Sequence, residues 1–393
     1  MVMADSIAYF DQLGGLVDQR WTAKGRRPEH LAEVAASALG EVPVPDDLTP
    51  ASILGMLALG TALPKQRSSA DQFGQPPAVM YKSPDLEIQA LTWMEGTTAI
   101  HQHGFVGAFR VLAGSSLHVE HAFEQAESMA DGHLVTGQLA TGEPEILWPG
   151  AVRPIVGGSD FIHALFHLER PSVTIVVRNK SSELPFPQYT YRLPGIGLDE
   201  FHTDDRMLMR LRALHSLRRI DRGAAAEVAL DVIRSQDLWT GFKVCDYWAY
   251  NADDGPELQA MIEELGRHAA PMAELLQPMF AEEMRRSRIL ARRGMLSEQD
   301  HRLFLALIVN LPDRHSIHAA VAQLYPEDDP DNVILRWVKE LASPAYRGMS
   351  GLSLGPEQLV VLQAKLADGG SDDALGEVAS QWNPPSLLQK LFV

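Results

Sequence analysis

The sequence predicts an α+β protein in which an all-β unit separates a short helical segment from a long helical region. Apolar residues recur at helical spacing from residue 5 to about residue 63, and again from residue 204 to the C-terminus. Between about residues 80 and 178, short β-type runs alternate with turn residues, a texture typical of sandwiches and barrels. The predicted units are a helical cap, a β domain and a separate all-α domain, at residues 1–65, 66–200 and 201–393.

Composition and charge limit the classes of function that this protein can have. The chain has 393 residues, of which 46% are hydrophobic, and at about 150 residues per domain it can form two or three folded units. Its 34 basic and 51 acidic residues give a net charge of -17 with histidine neutral. A surface this negative repels phosphate backbones and anionic lipid, so we expect neither nucleic-acid nor membrane partners.

The cysteine content restricts the metal chemistry. Cys245 is the sole cysteine, which excludes an internal disulfide and a thiolate-rich metal cluster. Any metal must therefore be held by histidine and carboxylate.

The first twenty residues lack the basic and apolar segments of an export signal, and no run nears the ~18 apolar residues of a spanning helix. We expect a cytoplasmic protein.

The individual elements follow from spacing and turn residues. In the cap, Thr49 is a candidate N-cap with Pro50 at the first helical position. Proline-rich sequence around Pro185, Pro187 and Pro194 predicts a linker after the β unit. The predicted strands are Leu86–Trp93, Ala99–His103, Ala108–Leu112, Ser116–His121, Gly137–Leu139, Glu145–Trp148, Phe161–His167 and Val173–Val177.

The most informative segment is an Ile-His-Gln-His run at residues 100–103. Residues two apart on a strand point to the same side, so His101 and His103 would project together. Two adjacent imidazoles form a bidentate clamp that suits Fe, Zn, Ni and Cu. The alternative is an accidental pair on a solvent-facing strand. His118 and His121 on the next strand differ in parity, and we expect each of them at the surface.

This segment resembles the first cupin motif, G-(x)5-H-x-H-(x)3,4-E-(x)6-G. His101, His103 and Gly114 match, whereas Gly107 occupies the position of the motif's glutamate. His163 matches the third metal-binding histidine of the second motif. Residues 80–178 are similar to the cysteine dioxygenase-type thiol dioxygenases in combining a Trp-x-x-Gly run before Ile-His-x-His, a missing glutamate, and a third histidine before a Pro-x-Val-Thr strand. The resemblance implies a cupin β-barrel, a double-stranded β-helix or jelly roll.

The resemblance also implies a function. In that family three histidines hold Fe(II) and leave open positions for substrate and O₂, so His101, His103 and His163 would be the metal ligands. Zn, Mn and Ni are the alternative ions. Val173 to Lys180 contains no tyrosine, unlike many thiol dioxygenases. We therefore predict a non-haem Fe(II)-dependent oxygenase acting on a small, anionic molecule, without carrying over thiol oxidation.

Three further residues are candidates for catalysis. His167 would share strand parity with His163 and line the same cavity, or else be a hydrogen-bonded histidine at the barrel end. Arg178 and Lys82 are candidates for gripping a substrate anion, against the alternative of ordinary surface cations. Gly107 is expected to keep a coordination position open because it has no side chain.

Two rival functions belong to other classes. One is a metal-binding or ligand-sensing cupin whose helical domain docks a second copy of the chain or a partner protein, because fold alone does not fix function. The other is a zinc or manganese isomerase or hydrolase, in which the ion acts as a Lewis acid. Metal analysis and O₂ uptake distinguish the three hypotheses.

Overall fold

The predicted α+β class is confirmed. The computed structural model describes residues 3–60, 63–67, 73–97, 99–180, 187–202, 205–251, 255–367 and 385–392. Within these ranges, eleven strands lie between three N-terminal and ten C-terminal α-helices. No helix in the described ranges is long and apolar enough to cross a membrane.

Three helices cover one face of the β structure. They are α1 (Met3–Ala23), α2 (Pro28–Glu41) and α3 (Pro50–Leu59). Thr49 caps α3 as predicted: its side chain accepts from the Ser52 backbone, and the Ser52 side chain accepts from the Thr49 backbone. The buried stripe of α1 and α2 packs on apolar side chains of the sheet, among them Ile88, Ala108 and Ile175.

The strands form two antiparallel sheets. Their bounds are β1 (Pro77–Lys82), β2 (Leu86–Trp93), β3 (Ile100–His103), β4 (Gly107–Ala113), β5 (Ser116–Met129), β6 (Leu134–Leu147), β7 (Val152–Ile155), β8 (Gly158–His167), β9 (Ser172–Asn179), β10 (Tyr189–Arg192) and β11 (Ile196–Asp199). One sheet has the order β1-β2-β9-β4-β7. The other closes into a barrel with the order β10-β11-β6-β5-β8-β3.

The passage predicted as a linker carries the strands that close the barrel. β10 pairs with β3 and with β11, and β11 pairs with β6. The linker prediction was therefore wrong for Pro187 and Pro194, which flank β10, whereas Pro185 lies outside the described residues. Proline is tolerated here because it stands outside the hydrogen-bonded ladder.

The C-terminal half is helical, and it shares its cores with the β structure. Leu117, Val119 and Phe166 of the barrel belong to one apolar cluster with Phe304 and helices of the C-terminal end. Leu134 and Ile196 belong to a second cluster with the preceding helices. A separate helical domain is thus not confirmed. The helices are α4 (Asp205–Ile220), α5 (Arg222–Ser235), α6 (Leu238–Asn251), α7 (Pro256–His268), α8 (Ala273–Met295), α9 (Gln299–Asn310), α10 (Arg314–Leu324), α11 (Pro330–Leu341), α12 (Arg347–Ser350) and α13 (Pro356–Ala367).

Candidate metal centre

Strand pairing brings the three predicted ligands together. His101 and His103 lie on β3, and His163 lies on β8 directly opposite His101 in the antiparallel register. Cross-strand neighbours of this kind have Cβ atoms about 5 Å apart. One potential ligand atom from each histidine falls within 4.8 Å of the other two. We refer to these three residues as the histidine triad.

The ring nitrogens of the triad are arranged for a shared cation. The Nε2 atoms of His103 and His163 are 3.0 Å apart. His101 donates from Nδ1 to the carbonyl of Ala99 at 3.3 Å, which leaves a lone pair on its Nε2. That Nε2 atom is buried and has no hydrogen-bond partner among the described residues. Buried polar atoms are normally satisfied, so this donor set fits an ion bound by three imidazoles.

Burial keeps the triad neutral. Desolvation lowers the pKa of His101. It also holds the pKa of both His103 and His163 well below the usual histidine range, and for these two residues repulsion from the neighbouring rings adds to the effect. A neutral imidazole offers its lone pair to a metal without first losing a proton. The site is therefore ready for a cation at neutral pH.

The triad opens into a cavity between the two sheets. Its volume is about 900 Å³. The walls are mostly apolar, and include Leu91, Trp93, Phe105, Phe109, Ile155 and Val176. Polar side chains enter at restricted places, among them Gln89 and Arg178 from the five-stranded sheet. A cavity of this kind is suited to a small organic ligand with an apolar body and a few polar groups.

Arg178 and Lys82 differ in their positions. Arg178 lines the cavity, with its guanidinium carbon 3.9 Å from the centre of the Phe105 ring. The Phe105 ring is in turn 4.6 Å from the ring of His103. Lys82 does not line the cavity, and its Nζ lies 3.6 Å from Oε2 of the buried Glu87. The predicted grip of Lys82 on a substrate is not supported, because Lys82 is not among the residues that line the cavity.

His167 lines the cavity beside the triad. Its ring stacks on Trp93 at 4.8 Å, and its Nδ1 lies 3.0 Å from the hydroxyl of Ser116. Burial, followed by the charge of Arg293, lowers the pKa of His167 to about 3. His167 is thus neutral. It both lines the cavity and is hydrogen-bonded, so the two alternatives given for it above are combined.

His118 also contacts the triad, contrary to our expectation from the sequence. We expected it at the surface, but it is buried, and its Nε2 lies 3.1 Å from Nδ1 of His163. Its Nδ1 is 3.6 Å from Oε2 of Glu145, and Glu145 also pairs with Arg153. Burial lowers the pKa of His118 to about 4, although Glu145 opposes this change. His121 is partly buried rather than exposed.

The signal for His118 was its strand parity. It lies two residues after Ser116, and both side chains point toward the β8 histidines. The intervening Leu117 and the following Val119 pack instead against the C-terminal helices. Because both faces of this strand segment are buried, apolar alternation does not mark which face meets the cavity.

Gly107 has a structural role in the packing of two strands. A Cβ atom at this position would overlap the backbone carbonyl of Val177 and come within 3.0 Å of the Cα of Arg178. The close approach of β4 and β9 therefore requires glycine at this position. Gly114, at the turn before β5, has a φ of 74° that favours glycine.

No protein-family model and no curated protein matches the chain. Among solved structures, a chain from the crystal structures of the DMSP lyases RdDddP and RnDddQII matches at 14% identity and a TM-score of 0.23. The match covers 45% of this chain and 94% of that chain. A likeness at this TM-score supports no conclusion about fold family or activity.

Proposed function

We propose that this protein is a cupin-type, non-haem Fe(II)-dependent oxygenase that acts on a small anionic molecule. The observation that carries the proposal is the convergence of three neutral imidazoles in an apolar cavity, with His103 and His163 buried and His101 partly buried. Within the described part of the chain, this ligand cluster contains no carboxylate. The resemblance of the His101–Gly114 segment to cupin and thiol dioxygenase motifs agrees with this assignment.

The donor set favours an oxygenase. Three neutral ligands leave the full charge of a divalent ion uncompensated, which favours an anionic substrate. Bound Fe(II) would supply open positions for substrate and O₂, as at other iron sites with three protein ligands on one face. Zinc with three histidines would instead support hydrolytic or Lewis-acid chemistry.

The remaining residues would bind and orient the substrate. Arg178 offers its guanidinium to an anionic group one aromatic ring away from the triad. Phe109 and the other apolar walls would exclude water from the reacting centre. His167, held by Ser116 and stacked on Trp93, would define the opposite wall and offer one ring nitrogen to the bound molecule.

The first test is metal content. We expect anaerobically purified protein to contain close to one iron per chain, and His101→Ala, His103→Ala and His163→Ala each to lose most of it. His315→Ala is the matched control, because this histidine is exposed and distant from the cavity wall. Full iron content in all three triad variants would overturn the metal assignment.

The second test is O₂ uptake. Iron-loaded protein is mixed with a panel of small carboxylates and thiols, and O₂ consumption is followed with an electrode. Uptake that requires both iron and one panel member supports the oxygenase. Stoichiometric zinc or manganese, with catalysis that consumes no O₂, would replace it with the isomerase or hydrolase hypothesis.

A further inference from the structure

We infer that His118 and Glu145 form a positioning pair that fixes the tautomer and orientation of His163 and thereby sets the metal affinity of the triad. This inference rests on the proposed metal site, and it adds two residues that do not touch the metal. It concerns the hydrogen bond between His163 and His118 and the ion pair between His118 and Glu145, and neither His118 nor Glu145 lines the cavity.

The first argument is geometric. His118 lies on β5 and His163 on β8, and these strands are paired over the segment that contains both residues. The Nε2 atom of His118 is 3.1 Å from the Nδ1 atom of His163. Both side chains are only 2% exposed, so water does not compete for this contact. Two strands of one sheet hold the rings in a fixed relation.

The second argument is the placement of protons. When His163 uses the lone pair of Nε2 for a cation, its Nδ1 must carry the hydrogen. That N–H can donate only if the facing Nε2 of His118 is unprotonated. The hydrogen of His118 is then on Nδ1, which is the atom that faces Oε2 of Glu145 at 3.6 Å. With these proton positions, each of the four ring nitrogens of His163 and His118 either directs its hydrogen at a partner or offers its lone pair.

The third argument is the contrast within the triad. His101 donates to a backbone carbonyl, and Nδ1 of His103 has no hydrogen-bond partner among the described residues. His163 is flanked by aromatic rings, with Phe161 at 4.5 Å and Phe109 at 5.9 Å. Among the contacts described for the triad, the one through His118 leads to a carboxylate. Carboxylate-backed imidazoles are more basic ligands and are held in one orientation.

Glu145 connects this pair to the protein surface. Its side chain is 45% exposed and also pairs with Arg153. Its charge can therefore attract the Nδ1–H group of His118 across 3.6 Å, although the carboxylate itself is not buried. This location makes Glu145 accessible to substitution with little effect on packing, and it offers a second route to test the pair.

The test measures Co(II) affinity on the full chain by competition with a chromophoric chelator. We expect His118→Leu to weaken binding by about 10–100-fold, the usual effect of losing such an outer hydrogen bond. His118→Gln should recover most of this loss, because its carbonyl can accept from His163 and its amide can donate to Glu145. Glu145→Gln, at the surface, should weaken binding by a smaller factor.

A spectroscopic measurement separates positioning from general damage. In the Cu(II)-loaded protein, electron spin-echo envelope modulation detects the uncoordinated nitrogen of each bound imidazole. The signal of that nitrogen changes with its hydrogen bonding. We expect one such nitrogen to change in His118→Leu and to return in His118→Gln. His121→Leu is the matched control, since it removes a partly buried imidazole from the same strand without a hydrogen bond to the triad.

The outcomes are distinguishable from failure of the proposed function. If wild-type protein binds no Co(II) at the triad, the metal site itself is wrong. If wild-type protein binds Co(II) and His118→Leu binds it as tightly as His121→Leu does, the metal site stands and the positioning pair is refuted. An unchanged spin-echo signal in a folded His118→Leu variant would refute the pair equally.

Discussion

Arg293 on α8 donates a hydrogen bond to the carboxylate of Glu95, 198 residues earlier in the chain, at 2.8 Å. Glu95 lies just after β2, and Arg302 donates to the same carboxylate oxygen at 2.9 Å. Arg170 pairs with its other oxygen. Burial, with Arg302 and Arg170 nearby, lowers the pKa of Arg293 to about 9, so the guanidinium stays charged at neutral pH. One carboxylate therefore neutralises part of a cluster of three cations.

Glu95→Gln is expected to destabilise the protein by about 2 kcal/mol, because the buried guanidiniums of Arg293 and Arg302 lose their only described counter-charge. Urea unfolding measures the change. Glu143→Gln is the control: both it and its partner His315 are exposed, so its effect should stay within about 0.5 kcal/mol. Equal effects in the two variants would contradict a structural role for Glu95.

Arg178→Met should weaken the binding of benzoate to Co(II)-loaded protein by about tenfold, since a charge-assisted hydrogen bond contributes roughly 1.5–3 kcal/mol. Lys82→Met should change the affinity by less than about twofold, because Lys82 does not line the cavity. The visible spectrum of Co(II) follows the titration. Similar losses in both variants would indicate long-range attraction by charge rather than a contact in the cavity.

The metal-free protein should lose stability in acid partly through His167. Its folded pKa is about 3, whereas the unfolded chain takes up this proton near pH 6.5. The contribution of His167 to the free energy of unfolding is therefore fully present above about pH 6.5. It declines as the pH falls toward the pKa of the folded state, by up to about 1.4 kcal/mol per pH unit. In chelator-treated protein, His167→Gln should flatten the dependence of unfolding free energy on pH across this window.

Ser116→Ala is the control for this pH experiment. It removes the hydroxyl partner of His167 and leaves the titrating ring in place. We expect a loss of about 1 kcal/mol at all pH values, with the slope retained. A slope that is identical in wild type and His167→Gln would show that other groups account for the acid sensitivity.

Gly107→Ala should cost about 2 kcal/mol, because its methyl group would overlap the backbone of β9 and force the strands apart. Gly15→Ala is expected to change the stability in the opposite direction. Gly15 lies in α1, where an added methyl group meets no other atom within 4 Å, so we expect a gain of about 0.5–1 kcal/mol. Thermal or urea unfolding of both variants checks the prediction.

Two of the three triad residues could be predicted because their signal is local. His101 and His103 lie two residues apart in a short strand, and period-two geometry makes their side chains neighbours whatever the tertiary structure. Likewise, β2 was predicted with the bounds Leu86–Trp93 that the structure has. His163 required the family resemblance, since its position opposite His101 depends on the pairing of β3 with β8.

The errors arose where tertiary context decides. His118 is on a segment covered by helices on one side and by the cavity on the other, so the sequence offers no polar face for orientation. β10 and β11 are only four residues each and lie among prolines. The alternating Tyr189 and Tyr191 were the available signal for β10, and turn residues outweighed it.

The shared cores have a consequence for any attempt to shorten the protein. Leu117, Val119, Ile146 and Phe166 are covered by side chains of the C-terminal helices. A fragment ending near residue 200 would expose these side chains to water as one apolar patch, and such patches drive self-association. Deleting the second half of the chain is therefore expected to lower the solubility of the first half.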